Sequence, residues 1–235
     1  MAPDFIALGV IWYIVFLFST TCHEGAHSLA AHLGGDPTAF HGGQASLNPI
    51  PHIQRSPFGM VIVPIITYIL PPHWMYGWAS APYDPAWERR YPRRAARMAL
   101  AGPAANFTLA ILAGVGIRVG MALHYFQLPG SVGFTHVAEA VAPGRAEFFA
   151  TFLSILFVLN ILLGTFNLLP VPPLDGNTGV TLLMSEAAAL RFLDFSRNQG
   201  FGIMGLVLAW VLYDRIFGVI FDVCLMALYP GTRWG

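Results

Sequence analysis

The chain has 235 residues, 56% of them hydrophobic and only 10% charged, where an ordinary soluble domain carries about 25% charged residues. Its net charge is zero, which gives no reason to expect a nucleic-acid partner. The two cysteines, Cys22 and Cys224, support neither a disulfide framework nor a cysteine zinc site, so the composition is that of an integral membrane protein.

The first apolar run predicts a helix over residues 5–33. Its start, Met1-Ala2-Pro3-Asp4, lacks a basic region, so it reads as a retained span and not as a signal peptide. The run leads without a turn into His23-Glu24-Gly25-Ala26-His27. On a helix, residues four apart project from one face one turn apart. Two imidazoles so placed suit a single Zn²⁺, with Glu24 set to take a proton from water at the metal. From Phe5 to Cys22 is eighteen residues, or about 27 Å at 1.5 Å each, so His23 lies near the far hydrocarbon boundary. Gly34-Gly35-Asp36-Pro37 stops the helix.

Residues 38–57 are polar and turn-rich, with short strands at 39–41 and 44–47 or an ordinary loop as the two readings. Residues 58–70 are apolar, but at thirteen residues with Pro64 inside they fall short of a span and predict a re-entrant segment. Trp74, Tyr76, Trp78, Tyr83 and Trp87 read as interfacial anchors. Arg89, Arg90, Arg93, Arg94 and Arg97 form the dense basic cluster of the chain. The positive-inside rule makes that loop cytoplasmic, with an anionic-lipid or partner site as its functional alternative.

Further spans are expected at 95–126, 148–169 and 201–229, and an amphipathic interfacial helix at 178–195. Arg215 and Asp222, two turns apart in the last span, read as a mutually neutralising pair or the lining of a wet crevice; Asp214 beside them is equally costly in lipid. The fold class is therefore an all-α polytopic membrane protein, a single transmembrane domain over 1–235. It has about four spanning helices, a re-entrant segment and a small interfacial β element.

Two motifs, His23-Glu24-x-x-His27 and Asn167-x-x-Pro170-x-Pro172-Pro173-Leu174-Asp175-Gly176, together resemble the site-2 protease family of intramembrane zinc metalloproteases. Leu47-Asn48-Pro49-x-x-His52 and Ala101-Gly102-Pro103-Ala104-Ala105-Asn106 resemble its compact prokaryotic members, which lack PDZ or CBS regions. The resemblance implies one zinc ion per chain held by His23, His27 and Asp175, with Glu24 as general base. It also implies a transmembrane segment of another membrane protein as substrate. No acidic residue follows His52 closely, as one commonly does in compact relatives.

If Asp175 is the third ligand, it must match the depth of the histidines. The spans at 5–33 and 148–169 then run parallel, with the span at 95–126 crossing between them. That arrangement places the N-terminus outside and the site near the cytoplasmic face of a prokaryotic inner membrane. It also puts the arginine loop on the same side as the site, in agreement with the charge rule. One of Asn106 and Asn167 is expected to face the site and donate to the oxyanion, or else to bond between helices. His52 is expected to fold back over the metal. The competing function is a catalytically idle zinc-binding membrane protein that grips single-span partners, for which Glu24 has no use.

Overall fold

The structure is a computed structural model and describes residues 3–196 and 199–232. The chain is mostly helical. Helix α1 runs Pro3–Leu33, α2 Thr38–His41 and α3 Pro49–Arg55, followed by a π-helical turn Phe58–Ile62 that continues into α4, Val63–Ile69. Then come α5 Pro85–Arg90, α6 Pro92–Ala122, the strands β1 Phe126–Gln127 and β2 Glu139–Ala140, and α7 Arg145–Asn167. The chain ends in α8 Asp175–Gly179, a 3₁₀ turn Val180–Leu183, α9 Glu186–Ser196 and α10 Gln199–Leu228.

Among the described residues, three helices are long and apolar enough to cross a membrane: Asp4–Leu33, Pro92–Ala122 and Arg145–Asn167. The stretch expected as a last span, 201–229, lies on α10. Among the described residues no ion pair joins Arg215 and Asp222, and both are exposed. The neutralising pair expected from their two-turn spacing is therefore not formed. The side chain of Asp214 lies outside the described residues.

Helix ends follow local chemistry. Asn48 and Asp84 each accept a backbone N–H two residues on, from Ile50 and Ala86, and each is followed by a proline at the first helical position. That is the favoured start of a helix. Gly35 ends α1 with φ +96°, a conformation in which a Cβ is strained.

Several sequence expectations need correction. The strand expected at 39–41 is α2, because Asp36 accepts both the N–H and the hydroxyl of Thr38 and opens a helical turn after Pro37. The small sheet lies elsewhere, pairing Phe126 with Ala140 and Gln127 with Glu139 in antiparallel register. The interfacial helix expected over 178–195 is broken, with Met184 extended and α9 restarting after Ser185, whose hydroxyl accepts the N–H of Ala188. Trp87 is not an interfacial anchor. It is buried with Ala31, Ala95 and Met98, and its indole N–H donates to the Gly34 carbonyl.

The chain divides into two compact units, and α1, α6 and α7 contribute residues to both. The first comprises Met1–Thr21, Leu47–Ser80 and Phe107–Ile161. Between helices in lipid, close packing replaces water expulsion as the main attraction, so small residues mark the contacts. Gly9 lies against the Tyr68 ring and Gly116 against Leu153. The π turn has a physical cause here. Pro64 has no N–H to offer the Met60 carbonyl, Gly59 gives its carbonyl to Trp78 N, and Val63 N reaches back five residues to Phe58 O.

The second unit comprises Cys22–Ser46, Ala81–Asn106 and Leu162–Gly235. Asp36 accepts from Asp84 N, and Arg94 donates to Gly34 O. These bonds tie the end of α1 to the segment that leads into α6. Arg89 makes a two-pronged ion pair with Asp194 of α9.

Candidate metal centre

His23 and His27 lie on the part of α1 that belongs to the second unit, and both are buried. Their rings meet edge to face, 4.6 Å between centroids. Asp175, the first residue of α8, arrives at the end of the Pro170–Leu174 segment. Pro170, Pro172 and Pro173 remove three backbone donors from that segment and disfavour helix in it. Gly176 then lets the chain turn directly over the backbone of Leu168 and Leu169, where a Cβ would not fit.

Three side-chain atoms converge. His23 Nε2 is 3.0 Å from His27 Nε2, His23 Nε2 is 3.0 Å from Asp175 Oδ2, and His27 Nε2 is 3.3 Å from Asp175 Oδ1. Ligands about 2.0–2.1 Å from a tetrahedral zinc stand roughly 3.3 Å apart, so the spacing suits one ion.

The outer ring nitrogens decide the chemistry. His27 Nδ1 lies 2.8 Å from the Met98 carbonyl, an acceptor only, so Nδ1 carries the proton and Nε2 presents a lone pair. His23 Nδ1 lies 2.6 Å from Asn106 Oδ1 and is assigned the same tautomer. Two lone pairs and a carboxylate therefore face one another in a buried site. A cation relieves that repulsion; a packed core does not require the arrangement. Met98, Gly102 and Asn106 stand four apart on α6 and form one stripe against the imidazoles. A Cβ on Gly102 would lie 2.6 Å from His23 Nε2 and closer still to His27 Nε2, so only glycine leaves the donors their space.

Glu24 is buried next to His23, and Ser28 donates to its backbone carbonyl. Among the described residues no protein donor occupies its carboxylate. Gly25 follows, with the Ser46 carbonyl 3.2 Å from where its Cβ would be, so the chain at 44–46 passes close over this turn of α1.

The chain matches the family model described as "Peptidase family M50" over residues 11–212. The chain belongs to peptidase family M50. This is the site-2 protease family expected from the two motifs. A relative from Bacillus subtilis (strain 168), named "Putative zinc metalloprotease YwhC", is 31% identical over 191 residues, which cover 77% of this chain and 76% of the relative. No solved structure matches. M50 membership and the apolar helices make this chain a zinc metalloprotease and an integral membrane protein.

Within the M50 chain, the structure brings His23, His27 and Asp175 together as a group able to hold a metal ion. Asn106 uses its amide oxygen on His23. Asn167 donates from its amide nitrogen to Leu163 O of its own helix. Asn106 thus makes a bond between helices, the alternative expected of it, and Asn167 bonds within its own helix. His52 is buried within α3 and belongs to the other unit. The sequence reading missed Met98, whose contribution is a carbonyl, and Gly102, whose contribution is the absence of a side chain. Gly102-Pro103 inside an apolar span hints at close packing without naming what packs there.

Proposed function

We propose that this M50 enzyme is an intramembrane zinc endopeptidase. It hydrolyses a peptide bond in or near a transmembrane segment of another membrane protein, with Glu24 as general base. The observation that carries the reading is the convergence of His23 Nε2, His27 Nε2 and an Asp175 carboxylate with no proton donor among them.

His23, His27 and Asp175 would hold one Zn²⁺. The ion supplies a Lewis acid for the scissile carbonyl and lowers the pKa of water toward about 7. Asn106 and the Met98 carbonyl orient the two imidazoles and raise their basicity. Glu24, whose carboxylate meets no protein donor among the described residues, accepts the proton of the attacking water and delivers it to the leaving amine. Gly102 keeps space open beside both Nε2 atoms, and the proline-rich approach to Asp175 is a run of non-helical turns closed by Val171 N–H to Leu169 O and Leu174 N–H to Val171 O.

In the membrane, α10 completes the set as a fourth span, and residues 58–69, about 18 Å of helix, re-enter without crossing. The five-arginine loop sets the N-terminus outside and the site near the cytoplasmic face of a prokaryotic inner membrane. An idle partner-gripping protein would have no need of a free buried Glu24.

The test is to purify wild type and Glu24→Gln, measure zinc, and assay a single-span substrate. Both should carry about one zinc per chain, and the variant should lose at least roughly 100-fold in cleavage. Equal cleavage by the two removes Glu24 as the base.

A further inference from the structure

The arginine cluster at 89–97 is not uniformly committed to internal contacts. Arg89 is paired with Asp194. Arg94 donates to Gly34 O and lies 4.3 Å from the centroid of the Tyr91 ring. Arg90, over the same ring at 5.4 Å, and Arg93 and Arg97 are exposed. Among the described residues none of these three has an acidic partner. Arg93 and Arg97 stand four apart, on one face of the first two turns of α6. Cations there oppose the helix dipole, which favours anions at an N-terminus. Two arginines kept at that position, with Arg90 closing α5 just ahead of them, call for an external negative charge.

The position says what carries it. Helix α6 is one of the three candidate spans and begins at Pro92, so Arg97 lies about 7.5 Å along it. At that depth a long side chain reaches the headgroup layer while its stem stays in apolar surroundings. Tyr91 supplies the aromatic ring typical of the same layer. We infer that Arg90, Arg93 and Arg97 form a binding surface for the phosphate of an anionic phospholipid.

The surface also bears on the enzyme. Arg97 precedes Met98, whose carbonyl fixes the tautomer of His27. A headgroup on Arg93 and Arg97 holds the first turns of α6 at a set depth, next to the stripe that supports both imidazoles. The inference rests on the membrane placement of α6 and not on Glu24 chemistry. Lipid retention therefore reads it independently of cleavage.

Full-length protein in neutral detergent is titrated with phosphatidylglycerol or phosphatidylcholine, and bound lipid is counted by native mass spectrometry. Wild type should retain phosphatidylglycerol preferentially. Arg93→Gln with Arg97→Gln should cut that retention by roughly fivefold per arginine removed, with zinc content unchanged. Arg118→Gln, toward the other end of α6, should leave retention as in wild type. The charge-preserving pair Arg93→Lys and Arg97→Lys should keep the preference. Equal retention of the two lipids by wild type, or undiminished phosphatidylglycerol retention in the glutamine pair, overturns the inference. Loss of the preference in the lysine pair overturns it too.

Discussion

Both compact units bury polar side chains, and the two do so in opposite ways. In the first, Asn160 donates to Ser19 Oγ and to Leu156 O. Ser154 accepts from the N–H groups of Val137 and Ala138 while donating to Ala150 O. There each donor meets a neutral acceptor, and the cluster stitches helix to helix and helix to loop. In the second unit the outer imidazole nitrogens are just as well matched, to Asn106 and Met98. Its inner atoms present three electron-rich groups to one point. Polarity that is fully matched holds a fold together; polarity matched on one side and left electron-rich on the other is built to receive a cation.

Substitutions that separate the two kinds of cluster sharpen this contrast. The largest effect is expected from Gly102→Ala, whose methyl group would occupy the space beside both Nε2 atoms. Zinc in the purified protein should fall to near zero, and metal retained at the wild-type level would show that the imidazoles have another way to face the ion. Asn106→Leu should weaken zinc affinity by about 10–100-fold in chelator competition. Asn106→Asp, which keeps an acceptor for His23 Nδ1, should recover most of it. An equal loss in both would assign Asn106 to packing. Asn160→Leu should lower stability by roughly 0.6–2 kcal/mol in thermal denaturation and leave zinc stoichiometry untouched; zinc loss there would erase the distinction.

The smallest effect concerns pH and lies outside both clusters. Burial would raise the Asp36 carboxyl, but hydrogen bonds from the Thr38 hydroxyl and from the Asp84 and Thr38 N–H groups outweigh it and lower its pKa. A carboxyl lowered by folding adds stability that is fully present above its unfolded pKa of about 3.9 and fades as pH falls through the folded value. The melting temperature of wild type should therefore decline more steeply in that acidic window than that of Asp36→Asn. Parallel curves would remove Asp36 as the clasp at the end of α1.

Much of the fold was legible because it rests on strong, local signals. Gly34-Gly35-Asp36-Pro37 ends α1 as read, and Asn48-Pro49 and Asp84-Pro85 open helices by the usual capping chemistry. What escaped depends on partners distant in sequence. Residues 39–41 alternate weakly enough to read as strand, and a single carboxylate, Asp36, turns them into helix. The break at Met184 had a sign in Ser185-Glu186, a favoured helix start that the apolar pattern across 178–195 masked. His23, His27 and Asp175 stood out because ionisable groups are scarce in an apolar chain. Asn106 is legible as an amide inside a span, but nothing local tells which way its oxygen turns.

Met98, Gly102 and Asn106 sit one helical turn apart from each other, on a single rigid rod. A slip of that rod by one turn, about 5.4 Å, would bring the wrong residue opposite each imidazole and deprive both of their settings at once. With the proposed ligands, bound zinc would be a gauge of helix register: a displaced α6 would lose the ion outright, and metal content would report the alignment of two helices without any structural probe.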